Sequence, residues 1–224
     1  MRKILLTASL LLAVLCADAQ RVFDRAERPS GYSWREEALD YLEPGVHVYV
    51  RGGLAVASLM GKERTESGSL AGAMAEVGLE IPFRRRLFGL QPALRYVMKG
   101  GKVPWDDGDP NNTTARMNYV EVPLNVYMHL PFNERHALKL AMGPYVGVGV
   151  GGEVTHEGRS YRSFGSDYCF RRCDVGVGLE ATYEYRRFQA TLGAESGFVP
   201  ILTADGDRSW PRPTAFYLNV GWRL

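Results

Sequence analysis

His47 and His129, with Glu76, Glu80, Glu121, Glu180, Glu184 and Glu195, are the residues of this chain best suited to acid and base work. Such catalysis needs one of them set against a nucleophile, a bound metal or a reacting proton. No Ser-His-acid constellation, nucleophile elbow or zinc signature accompanies them, so the expectation is a non-enzymatic protein with no cofactor and no metal. The run Asp106, Asp107, Gly108, Asp109, Pro110, Asn111, Asn112 has the alternate spacing of a calcium loop at Asp107, Asp109 and Asn111. Asn112 stands where the turn glycine belongs, however, and Asn118 where the bidentate glutamate belongs. It reads as a plain turn, since these residues form turns in their own right.

The elements that would position the charges are strands. In the stretch 119–130, Val120, Val122, Leu124, Val126, Met128 and Leu130 fall on one side of an extended chain, and Tyr119, Glu121, Asn125, Tyr127 and His129 on the other. The same alternation predicts eight strands, at about 45–59, 69–83, 87–102, 115–131, 136–154, 173–186, 188–202 and 214–224. The connections 84–86, 131–135 and 186–187 are tight. Those at 60–68, 103–114, 155–172 and 203–213 are longer and rich in Gly, Asp, Asn and Ser. An even number of long strands with short turns at one end and long loops at the other fits an eight-stranded antiparallel transmembrane β-barrel.

One face of these strands is aliphatic, as in Val46, Val48, Val50, Leu54 and Val56, or Leu138, Leu140, Met142, Val146, Val148 and Val150. The other carries the charges together with many glycines, among them Gly53, Gly78, Gly89, Gly143, Gly176, Gly193 and Gly221. Glycine has no use on a solvated outer surface, but in a narrow interior it makes room for long side chains reaching from across the barrel. The charged face is therefore expected inside and the aliphatic face in lipid. Phe83, Phe88, Phe132, Tyr183, Tyr185, Phe188 and Trp222 gather near the short-turn end as an aromatic girdle.

Inside such a barrel Arg51, Glu76, Glu80, Arg95, Glu121, Lys139, Glu180, Glu184, Glu195 and Arg223 form the expected lumen charge network. Arg51 is read beside Glu76 and Glu80, Arg95 between Glu80 and Glu121, Lys139 between Glu121 and Glu180 or Glu184, and Arg223 beside Glu195. Close to balanced in sign, the set reads as a salt-bridged plug filling an interior only wide enough for side chains, in preference to an ion path. His47, Lys99, His129 and Asp174 share the same face.

The long loop 156–173 offers a second group. Arg159, Tyr161, Arg162, Phe164 and Arg171, with Trp210 in the last loop, are residue types that anchor interfaces, and a glycan, lipopolysaccharide or protein partner would suit them. Composition leaves a merely solvated loop equally open. Cys169 and Cys173 could close a small disulfide loop.

The ends and the composition set the context. Residues 1–19 have a basic start, an apolar core and Ala17, Asp18, Ala19 before Gln20, the layout of a secretory signal peptide. Leu15 before Cys16 argues against a lipoprotein site. Residues 20–44 are expected as a periplasmic N-terminal segment, in which Ser33 and Glu36 form a capping-box pattern, and 45–224 as the barrel. A formal net charge of +2, with no basic stripe, gives no case for nucleic acid.

Tyr119 through Leu124, then Gly143, Pro144, Tyr145, Val146 and Gly147, then Asp174, Val175 and Gly176 with Gly178 and Glu180, together resemble the outer-membrane β-barrel family of Bacteroidota that includes PorT-like proteins. The resemblance spans roughly 45–224. It implies a small barrel of OmpA or OmpX size in the bacterial outer membrane, in contact with lipid and lipopolysaccharide; the termini are expected in the periplasm because both lie at the short-turn end. It also implies a cell-surface or periplasmic protein partner, in PorT's case linked to secretion. The terminal Trp222, Arg223 and Leu224 depart from the final aromatic usual in such barrels.

Overall fold

The computed structural model describes residues 45–60, 68–83, 87–102, 113–156, 158–164, 170–200 and 212–224. The expected signal peptide and N-terminal segment, the calcium-like run, Cys169 and Trp210 lie outside the described residues.

The described residues form nine strands: β1 (His47–Met60), β2 (Leu70–Pro82), β3 (Phe88–Lys102), β4 (Thr113–Pro131), β5 (His136–His156), β6 (Arg159–Arg162), β7 (Cys173–Tyr185), β8 (Phe188–Gly197) and β9 (Arg212–Arg223). Each pairing is antiparallel. β1 pairs with β2 on one side and β9 on the other, while β4–β5 pairing joins the remaining halves. Eight strands thus close into a barrel, and closure leaves no sheet edge to be satisfied by water, the condition for crossing a bilayer with strands.

β6 is the element the alternation did not disclose. It sits in the expected loop 155–172, turned at Gly158 (φ +77°), and pairs with Glu153 to His156 on the far end of β5. β5 is accordingly longer than expected. At the other extreme, β8 stops at Gly197; Phe198 still donates to Val175 O, but Pro200 has no N–H with which to continue a ladder.

The tight turns have local causes. Asn133 Oδ1 accepts from the backbone N–H of Arg135 at 2.8 Å and of His136 at 3.0 Å, an Asx turn that reverses the chain between β4 and β5. Arg186, between β7 and β8, adopts a left-handed φ of +54°, and its N–H donates to Arg135 O at 2.7 Å.

Outward and inward sets follow the pleat. Leu54 is 70% exposed and Met142 65%, whereas Glu121 on the opposite face is 0% exposed. The aromatic ring at the short-turn end is exposed as expected. Leu138, assigned outward, is buried; its direct cross-strand neighbours on that face are the large Leu130 and Tyr183. At the long-loop end a bulge near Asn118 and Tyr119 resets the phase of β5, and the outward positions change from Val148 and Val150 to a polar Arg116–Glu153–Arg162 rung. The apolar band ends there.

Candidate functional site

The inward face fills the barrel with three tiers of ion pairs. Nearest the short turns, Lys139 bonds Glu184 at 2.9 Å and also Glu80, while His129 Nε2 lies 2.8 Å from Glu184. Gln189 donates to both carboxylates, at 2.9 and 2.8 Å. At mid-height Arg51 bonds Glu180 at 2.9 Å, with Glu76 at 3.5 Å. Arg95 binds Glu76 at 2.6 Å and also Glu180, and reaches Glu195 at 2.9 Å. Toward the long loops, Lys99 meets Glu121, Glu195 and Asp174 at 2.6, 2.7 and 2.9 Å.

All of these side chains are buried, so each depends on its partners in place of water. Removing one member of such a pair strands the other and costs about 3–5 kcal/mol. Tyrosines line the wall between the charges. The Arg51 guanidinium stands 4.1 Å from the Tyr49 ring centroid, Arg95 4.9 Å from Tyr217, and Lys99 4.4 Å from Tyr145. All three hydroxyls donate into the network, Tyr49 to Glu76 at 2.8 Å, Tyr217 to Glu180 at 2.9 Å and Tyr145 to Asp174 at 3.0 Å.

Above the Lys99 tier the interior turns apolar. Leu59, Met74, Val97, Met117, Tyr119 and Val154 form a buried cluster with Phe170, and Phe164 packs against it. Phe164 meets Tyr119 edge-on at 5.9 Å. The segment carrying it is tied down by Ser163 N–H to Gly152 O at 3.1 Å, Ser163 Oγ to Arg116 O at 2.9 Å and Arg172 Nη2 to Phe164 O at 3.1 Å, and Arg172 O in turn accepts from Gly149 N–H at 2.6 Å.

Nine of the ten residues read from the sequence as the lumen network are buried inside. Arg223 is not where it was expected: it pairs with Tyr49 at the short-turn rim, half-buried, far along the strand from Glu195, whose partner on β9 is Ala215. Alternation gives the face of a strand and leaves the register free. Arg95 pairs with Glu121 on one side as expected, but on the other with Glu76, four residues from the expected Glu80. Members absent from the expected network are Lys99, His129, Asp174, Gln189 and the three tyrosines. Their phase was visible, since each falls on the charged face; what was lacking was the tier at which each would meet a partner.

In the loop group, Arg159, Arg162 and Arg171 are exposed and Tyr161 half-buried. Phe164, expected on the recognition surface, is turned into the barrel mouth instead, because an apolar cluster there can bury it. Cys173 opens β7 and is exposed, and the disulfide expected with Cys169 falls partly outside the described residues. His47 stands half-buried at the start of β1.

Residues 35–203 match the family model described as an outer membrane protein beta-barrel domain. Among solved structures, Ail, the attachment invasion locus protein of Yersinia pestis, is 11% identical, with 81% of this chain and 100% of that chain covered and a TM-score of 0.44. Neisserial surface protein A is 12% identical over 81% of this chain and 100% of that one, with a TM-score of 0.48. The N-terminal beta-barrel domain of Pseudomonas aeruginosa OprF is 10% identical over 79% and 97%, with a TM-score of 0.39. A search of curated proteins found no relative.

Proposed function

The chain belongs to the outer membrane protein beta-barrel domain family, and we propose that it acts as a closed, non-enzymatic outer-membrane anchor whose long-loop end is a recognition surface. The observation that carries this reading is the filling of the interior by three tiers of buried ion pairs beneath an apolar cluster. An interior so occupied leaves no lane for solute, so the work falls to the rim. Short turns next to both ends of the barrel chain support a periplasmic position for that end and an extracellular one for the loops.

At the loop end, Arg159 and Arg162 project on β6 beyond the apolar band, with Arg116 on β4 across Glu153 of β5 from Arg162. Guanidinium groups in such an array suit phosphate or carboxylate groups of lipopolysaccharide. The test is binding of the purified protein, in lipid nanodiscs, to immobilised lipopolysaccharide at low salt. The Arg159→Glu/Arg162→Glu double variant should bind at least about tenfold more weakly with an unchanged folded barrel. Equal binding would remove the loop from the account.

The motif 119–124, with its PorT-like resemblance, supports a second reading, a component of a secretion or transport assembly. Its partner would meet the short turns. A photo-crosslinker at Asn133 or Arg187 would then capture a periplasmic protein in cells; adducts formed only from the long loops would count against it.

A further inference from the structure

The three tiers differ in balance. Nearest the short turns, Glu80 and Glu184 share Lys139, with Arg51 3.9 Å from Glu80 and with Gln189 donating to both; at mid-height Arg51 and Arg95 face Glu76 and Glu180. At the third tier Lys99 alone is met by three carboxylates, Glu121, Asp174 and Glu195. Arg95 does reach Glu195, but it is already engaged with Glu76 and Glu180.

The hydrogen bonding at this tier is incomplete as well. Glu121 is fully buried; its Oε1 rests 2.6 Å from the Lys99 ammonium, and its Oε2 has no hydrogen-bond partner among the described residues. Asp174 Oδ1 likewise has none, and Glu195 Oε1 has only the shared Lys99 ammonium, at 2.7 Å. A buried carboxylate oxygen without a donor is costly, and three carboxylates around one ammonium multiply that cost.

No other described cation stands at this level. From β5 the Tyr145 hydroxyl donates to Asp174 Oδ2 at 3.0 Å, which leaves Asp174 Oδ1 and Glu121 Oε2 unmet; from β4 and β9 come the phenols of Tyr119 and Tyr217, and from β1 and β2 come Arg51 and Glu76, which belong to the tier below. Toward the long loops stand the apolar Val97, Met117 and Phe164. A metal ion is a poor fit, because the Lys99 ammonium already occupies the point where the carboxylates converge. Among the described residues no cluster of three or more His, Cys, Asp or Glu could hold one.

We propose that the Lys99 tier binds a proton, shared between Glu121 and its neighbours Asp174 and Glu195, and that this proton is what allows the interior to close. Protonation removes one negative charge and turns an unpartnered acceptor into an O–H donor, so charge and hydrogen-bond deficits are met together. The folded barrel then binds a proton that the unfolded chain has released at neutral pH, so its stability falls as pH rises. The inference goes beyond the anchor role: it gives the closed interior a dependence on pH located in one tier.

Two measurements test it. Infrared spectroscopy of the protein in lipid at about pH 7 should show a protonated-carboxyl stretch that Glu121→Gln abolishes. Thermal unfolding, read by the gel shift of the folded barrel, should show the variant gaining on the parent by about 3 °C or more between about pH 5 and about pH 9. Glu195→Gln is read in the same way should Glu121→Gln not fold. A parent without the protonated-carboxyl band overturns the proposal, as does a band that persists in Glu121→Gln or a variant that parallels the parent at every pH. Stability that follows added sodium or calcium in place of pH would assign the counter-charge to a metal ion and overturn it equally.

Discussion

The ring of Tyr49 on β1 occupies the space that a side chain at Gly78, its direct partner on β2, would fill. The same relationship joins Tyr127 to Gly89, Tyr145 to Gly176 and Tyr217 to Gly193, each across one pair of adjacent strands. These four inward glycines therefore do make room, but for a tyrosine from the neighbouring strand and not for a side chain from the opposite wall as the sequence suggested. Laid along the wall, the rings leave the centre of the barrel to the arginines and lysines.

Gly78→Ala should accordingly destabilise the barrel, because its Cβ would enter the Tyr49 ring. The expected loss is about 1–3 kcal/mol, the usual cost of overpacking, measured as a lower urea midpoint in lipid or detergent. Adding Tyr49→Ala to Gly78→Ala should cost less than the sum of the two single changes, since the clash is removed along with the ring.

Glu180 lies between two guanidiniums, those of Arg51 and Arg95, and accepts the Tyr217 hydroxyl. Glu180→Ala should cost about 3–5 kcal/mol by leaving buried positive charge uncompensated. The check is the same unfolding midpoint. A loss under about 1 kcal/mol would mean that water reaches the tier, as it does at exposed ion pairs.

Leu218 is 61% exposed on the outer face of β9. In a bilayer that exposure is to lipid, so Leu218→Arg should cost about 2–4 kcal/mol if the residue lies near the midplane. A nitroxide at this position should relax with oxygen and be shielded from a water-soluble nickel complex. Strong relaxation by nickel would place the aliphatic face in water.

Phe164→Ala should loosen the barrel mouth without unfolding the barrel. The amides of Gly149 and Ser163, which donate to Arg172 O and Gly152 O, are expected to exchange with deuterium about tenfold faster. Amides in β1 and β9 should be unaffected.

Strand existence, order and facing were legible because period two was sustained through segments bounded by turn residues, and Asn133 is an explicit turn former. β6 was hidden by its brevity: Arg159, Ser160, Tyr161 and Arg162 carry no apolar alternation. Register was hidden for a different reason. Arg223 and Glu195 share a phase whichever way β8 and β9 slide, and only the full ladder sets them at opposite ends. The same blindness concealed the uneven tiers, since a chain-wide tally of inward charges looked near balance while three carboxylates gathered around Lys99. Phe164 could not be placed from a non-periodic loop, because its burial depends on an apolar mouth assembled from β1 to β5.

Ion conductance of the purified barrel in a planar bilayer tests the closed interior most directly. The parent should carry no steady current, and Arg95→Ala, which removes the cation shared by Glu76, Glu180 and Glu195, should leak. A stable open conductance in the parent would contradict the closed interior and make transport through the lumen the leading account.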